Sequence, residues 1–333
     1  MKDINIVTFV WNKDYIDEFL DVVLPTYLST NNLASNKIEH ELNFTIYTDD
    51  VDYISNNSNY KRLCNMVNTN VINNITKTDD KFHSANNTIS RIIKRNKLKY
   101  DGLVVIYPDM LVSDGSFKNL YSKIDDYKMI YNVTNLRVVK ETIVPYMKEY
   151  LKHNDGISSR DLVRAMMNNT HEITKSYNAR HFRNKNPCVL IWKANETNWI
   201  LRSIHQYPMY IDMDYLKQVP TLHKGAFLDT RLLMLDTIDK NDTYVFTDSD
   251  DFFETNIAPL DTNDFKPEFM FNTDVSREYL YQNLSSHQNY IYNNLRPLDY
   301  TFRVHSDDND DGVLDARLES NVLINEFYQR LNI

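Results

Sequence analysis

The sequence predicts an α/β protein: a mainly parallel sheet flanked by helices, with a helical insertion and a helical C-terminal tail. Three observations predict it. Short continuous apolar runs have the length of buried strands, helix-spaced apolar stretches alternate with them, and polar residues gather just after the runs. In open sheets of this kind ligands bind beyond the carboxyl ends of the strands, so the residues that follow each run are the first candidates for function.

The first strand is INIVTFV (4–10), and the segment after it spaces Ile16, Phe19, Leu20, Val23 and Leu24 as one helical face. FTIYT (44–48) is the second strand, and a helix from about Ser84 to Lys97 carries Ile89, Ile92 and Ile93. GLVVIY (102–107) follows as a strand, SDGSFKNLYSKI starts a helix, and KMIYNV (128–133) is a further strand. Between Lys140 and Asn169 the spacing is helical, with Val144, Met147 and Leu151 on one stripe and Leu162, Ala165 and Met166 on another. CVLIWK and WILRSI flank ANETN as a hairpin, and YPMYI and TYVFT (243–247) return to the sheet. From about Asp274 the chain reads as mostly helical and ends in ARLESNVLINEFYQRL. No repeat or Gly/Pro/Ser-rich linker interrupts it. The expected parts are 1–139, 140–273 with the helical insertion, and the 274–333 extension.

Composition narrows the function. Apolar residues at 42% and charged residues at 25% are ordinary for a globular chain, and a formal charge of −9 argues against holding nucleic acid by broad phosphate neutralisation. No run approaches the roughly 20 apolar residues of a membrane span. Lys13 and Asp14 interrupt the start too early for a secretory leader. A cytoplasmic protein with no integral membrane segment is expected, with peripheral membrane association left open. Cys64 and Cys188 are too few and too distant for a thiolate zinc site or a disulfide scaffold. The five glycines, at 102, 115, 156, 225 and 312, form neither a G-x-G-x-x-G turn nor a P-loop, so a bound nucleotide needs side chains, a cation and ordinary loop amides.

The strand ends are rich in carboxylates. Trp11, Asn12 and Asp14 follow the first strand, Asp49 and Asp50 the second, Asp109 with Ser113 and Asp114 the third, and Asp248, Asp250 and Asp251 the late TYVFT run. Like charges so close suppress one another's ionisation unless a cation or a set of donors holds them, which suggests a shared cation site. Turns also favour Asp for local hydrogen bonding, so both origins stay open at this stage.

The order INIVTFVWNKDYIDEFLDVVLPTYLS, FTIYTDD, then DGLVVIYPDMLVSDGSFKNL resembles bacterial glycosyltransferases of the GT-A type over roughly residues 4 to 140, and LRVVKETIVPYMKEYL and YVFTDSDDF add to the likeness. The resemblance implies a nucleotide-sugar-binding half over 1–139 and an acceptor and catalytic half over 140–273. It implies transfer of a sugar from a nucleotide diphosphate donor to a carbohydrate acceptor, for a surface polysaccharide, with Mn2+ or Mg2+ as the cation. The family's Asp-x-Asp metal motif falls on Tyr107, Pro108 and Asp109, so only its last carboxylate is kept. Asp109 is thus assigned to donor and metal. Asp248, Asp250 and Asp251 supply either a second ligand, Asp250 first, or the base that deprotonates the acceptor. Trp11, Asn12 and Asp49 line the nucleotide site, Arg91 approaches its phosphates, and His205 is the late histidine that completes the metal set in some members.

Two other functions compete. An Asp-x-Asp after a buried strand also opens phosphatases that form an aspartyl phosphate, although Phe252 stands where that pattern carries a small or β-branched residue. A non-catalytic carbohydrate-binding or interaction protein on the same scaffold is favoured by Tyr107. Further on, Asp307, Asn309 and Asp311 before Gly312 match the first half of a calcium loop, but Leu318 occupies the position that needs a bidentate Glu, and an acidic loop before the last helix is the preferred reading.

Overall fold

The computed structural model describes residues 1–333 except 34, 36–38, 74–80, 133–135, 186, 205–206, 217–238, 262–273, 287–295 and 333; for 81–86 and 207 only the backbone is described. β1 (Asp3–Val10), β2 (Glu41–Thr48), β3 (Asn68–Asn73), β4 (Gly102–Val105), β6 (Met129–Asn132), β10 (Tyr207–Asp212) and β11 (Thr243–Val245) form a seven-stranded sheet in the order β11-β6-β10-β4-β1-β2-β3. All neighbours run parallel except β10, which is antiparallel to both β4 and β6. The chain moves outward from β1 through β2 to β3, then returns to the other side of β1 with β4. That reversal makes a topological switch point between β1 and β4.

Every residue of β1 from Ile4 to Val10 is buried, as expected of a central parallel strand covered on both faces. α1 (Lys13–Glu18) leaves β1 and continues through a π-helical turn, Phe19–Val23, into α2 (Leu24–Tyr27), with Phe19, Leu20, Val22 and Val23 facing the core. α3 (Val51–Asn56) and α4 (Ser58–Met66) follow β2; the side chain of Asp50 caps α3 by accepting from Tyr53 N at 3.0 Å. α5 (Lys81–Asn96) packs on β1 and β4, and α6 (Ser116–Tyr121) follows β5 (Met110–Val112). β5 belongs to a small second sheet, β5-β12-β7, with β12 (Glu254–Ala258) antiparallel to β5 and parallel to β7 (Arg137–Val139). The helical insertion is α7 (Lys140–His153), α8 (Ser159–Asn168) and α9 (Glu172–Ser176).

The C-terminal layer is an antiparallel sheet of β8 (Val189–Lys193), β9 (Asn198–Ser203) and β13 (Phe302–His305), with α10 (Arg277–Ser286) and α11 (Val313–Leu331). Side chains of a strand alternate between its faces. Val189, Ile191, Leu201 and Val304 therefore join the main core, while Leu190, Trp192 and Ile200 form a second core with Leu284, Ala316, Ile324 and Phe327. Arg202 is buried between β9 and α11. It donates to the carbonyls of Leu298 (3.0 Å) and Asp299 (2.9 Å) and to Ser320 Oγ (3.2 Å).

The α/β class, the mainly parallel sheet, the 189–203 hairpin and the C-terminal helix agree with expectation. Three details differ. The strand in GLVVIY stops at Val105, the seven-stranded sheet draws β10 and β11 from the 140–273 stretch, and the supposedly helical end contains β13 between its helices. Among the described residues no helix is long and apolar enough to cross a membrane.

Candidate functional site

The carboxyl ends of β1, β2 and β4 bring together Trp11 and Asn12, Asp49, and Tyr107 to Asp109. The Phe9 ring stacks on Trp11 with centroids 6.2 Å apart and takes the Tyr107 ring edge-on at 5.5 Å. Asn12 caps α1, its side chain accepting from Asp14 N at 3.4 Å, with φ 72° and ψ 132°. Among the described residues the other non-glycine positive-φ positions, Arg296 (ψ 71°) and Asn332 (ψ 42°), sit in or beside the left-handed helical basin. Asn12 lies well outside it, in a region that costs a side-chain-bearing residue on the order of 1–3 kcal/mol. The strain falls at the switch point.

Glu18 and Tyr27 lie close enough to Asp109 to feel its charge. Lys140 Nζ, at the start of α7, lies 2.6 Å from Glu18 Oε2. Burial pushes the Glu18 carboxyl above its ordinary 4.5, against the hydrogen bond and charge of Lys140 and with the charges of Asp109 and Glu141. The Tyr27 hydroxyl beneath donates to the Met110 carbonyl at 3.1 Å, and burial, with Glu254 and Asp109, drives its ionisation well above the ordinary value. Asp109 accepts from Ile257 N at 2.8 Å through its carbonyl, which fixes this turn to β12. Among the described residues no three metal-ligating side chains converge on Asp109. With Tyr107 at the first motif position, the crevice does not by itself fit a protein-chelated divalent cation.

A second polar cluster forms where the turn after β11 meets β13. Arg303 N donates to the Thr247 carbonyl (2.8 Å), Ser249 N to the Arg303 carbonyl (2.9 Å) and His305 N to Ser249 Oγ (3.1 Å), while Ser159 Oγ on α8 donates to the Ser249 carbonyl. This docking holds His305 Nε2 2.9 Å from Asp248 Oδ1 and 3.5 Å from Asp250 Oδ2, with Nδ1 3.0 Å from the Asp307 carbonyl. Arg160 Nη2 binds Asp250 (2.9 Å) and Asp308 (2.7 Å). The hydrogen bond to Asp248 raises the His305 pKa against the effect of burial, and the Asp307 carbonyl helps. Burial pushes the Asp248 carboxyl up, but His305, Asp250 N–H and the Arg303 charge together hold it below 3.8. Partial burial, then the charge of Asp248, pushes Asp251 up.

The structure separates two groups that the sequence joins. Asp109 follows β4 and Asp250 follows β11, and β10 and β6 lie between those two strands in the sheet. Among the described residues the metal-ligating atoms that gather around Asp250 are those of Asp248 and His305, and Asp109 is not among them. His205 lies outside the described residues. Arg91 is half-buried on α5, where its Nε donates to the Asn87 carbonyl at 3.3 Å. In the 307–311 loop Asp307 accepts from Thr197 Oγ1 (2.8 Å), Asp308 pairs with Arg160 and Asp310 with Arg303 (2.6 Å), and among the described residues no three metal-ligating side chains converge there. His305 escaped sequence reasoning because it stands far along the chain from Asp248; the one available signal was the alternation of FRVH just before DDNDD.

No protein-family model matches the chain, and no curated protein matches it.

Proposed function

We propose that the protein is a glycosyltransferase that takes a nucleotide diphosphate sugar in the β1–β2–β4 crevice and passes the sugar to a carbohydrate acceptor of a surface polysaccharide. The observation that carries this reading is the strained Asn12 at the switch point, flanked by Trp11, Tyr107, Asp49 and Asp109. Aromatic rings at these strand ends offer a stacking surface to a base or sugar. In the reaction the acceptor oxygen bonds to the anomeric carbon as the bond to the diphosphate breaks, and the acceptor proton leaves to a base. The phosphatase reading is less well supported: Asp248 follows β11, an edge strand away from the switch point, and its carboxylate is held by His305.

The test is calorimetric titration of wild type, Asp109→Ala and Trp11→Ala with uridine, guanosine and cytidine diphosphates. One nucleotide is expected to bind wild type, and each variant to lose at least tenfold in affinity, about 1.4 kcal/mol. If none of the three binds, or the variants bind like wild type, the reading fails. Turnover of the matching nucleotide sugar then separates a transferase from a non-catalytic carbohydrate-binding protein.

A further inference from the structure

We propose that Asp248, Asp250 and His305 form a binding site for one divalent first-row transition ion, separate from the nucleotide crevice. One ligand atom from each of the three residues lies within 4.8 Å of the others, close enough to surround a single ion after small side-chain rotations. The histidine is set up as a ligand. Its Nδ1 donates to the Asp307 carbonyl 3.0 Å away, which orients the ring and leaves Nε2 as the nitrogen facing both carboxylates. That second hydrogen bond comes from outside the triad and orients the ring before any ion arrives.

The donor set selects the ion class. Two carboxylate oxygens and one imidazole nitrogen suit Mn2+, Co2+ or Zn2+ better than Mg2+ or Ca2+, which take oxygen ligands. His305 is buried, Asp248 half-buried and Asp250 exposed, so the site is closed on the protein side and open to solvent on the other, with coordination positions left for water or a ligand.

Arg160 acts as the resident counter-ion. It holds Asp250 at 2.9 Å and also Asp308 at 2.7 Å, so it can release the first carboxylate and keep the second. The ligands come from the turn after β11 and from β13, which an ion would join across the junction of the main sheet and the C-terminal layer. No part of this depends on the nucleotide reading.

The experiment uses the metal-free full chain and metal salts alone. MnCl2, CoCl2, ZnCl2 and MgCl2 are titrated calorimetrically, with Co2+ absorption reporting nitrogen and oxygen coordination and circular dichroism reporting the fold. One equivalent of a transition ion is expected to bind at least tenfold more tightly than Mg2+. His305→Ala and Asp250→Asn should each weaken it at least tenfold, and Asp109→Asn should leave the ion affinity unchanged. Arg160→Gln should tighten binding severalfold, a gain that misfolding does not produce. Absence of one-to-one binding, unchanged affinity in His305→Ala and Asp250→Asn, no gain in Arg160→Gln, or loss of the ion in Asp109→Asn would each overturn the proposal. No nucleotide is present, so failure here leaves the transferase reading standing.

Discussion

The crevice at β1–β4 and the C-terminal layer both carry charged side chains, but they treat them in opposite ways. In the C-terminal layer cations meet placed partners: Arg303 reaches Asn198 and Asp310, Arg180 reaches Glu319, and Arg202 is enclosed by carbonyls and Ser320. At the crevice, a carboxylate is buried with one lysine beside it and the backbone is strained at Asn12. Satisfied polar networks fix a structure, whereas strain and desolvation persist only where surrounding contacts enforce them, and such features cluster at binding sites.

The largest expected effect tests the first half of this contrast. Arg202→Met should destabilise the protein by about 2 kcal/mol in urea denaturation, because it leaves the buried Leu298 carbonyl, and the Asp299 carbonyl beside it, without their donor. A loss below about 1 kcal/mol would mean that the network around Arg202 is not what fixes α11 to β9. Glu18→Gln tests the other half and should stabilise the protein at pH 7. The Glu18 pKa is raised above 4.5 in the folded state, so the folded protein binds this proton more tightly than the unfolded chain. The stability the proton confers is full below about 4.5 and is lost as the pH rises through the folded pKa. The gain in Glu18→Gln should therefore be greatest near neutral pH and vanish in acid; a gain that is constant with pH would remove the desolvated carboxylate from the comparison. The smallest effect is Asn12→Gly, which should stabilise by about 0.5 kcal/mol by relieving the positive φ. Destabilisation instead would show that the cap of α1 outweighs the strain.

Much of this was legible in the sequence because burial leaves a pattern. INIVTFV, FTIYT and the two arms of the 189–203 hairpin are strands whose apolar content announces them. β3, with the sequence NTNVIN, is an edge strand half in solvent and carries no such run. The direction of β10 was equally hidden, since a strand buried on both faces reads the same in either orientation. The strand-end polar residues could be read one by one, Trp11, Asn12, Asp49 and Asp109 at one crevice and Asp248 with Asp250 at the other place. Their grouping could not, because it depends on strand order. His305 was missed for the same reason: β13 reaches Asp248 through tertiary docking alone.

The position of β10 also has a kinetic consequence. It fills the slot between β4 and β6, yet the ribosome makes it after β6, the three insertion helices and the β8–β9 hairpin. At about 5–20 residues per second, the stretch from Asn132 to Tyr207 takes on the order of 4–15 s to synthesise. Throughout that interval the apolar strands GLVV and MIYN present unpaired backbone edges to each other and to other chains. Closing the slot without β10 would register the two strands wrongly, so the emerging chain is most vulnerable to misassembly before its hairpin is complete.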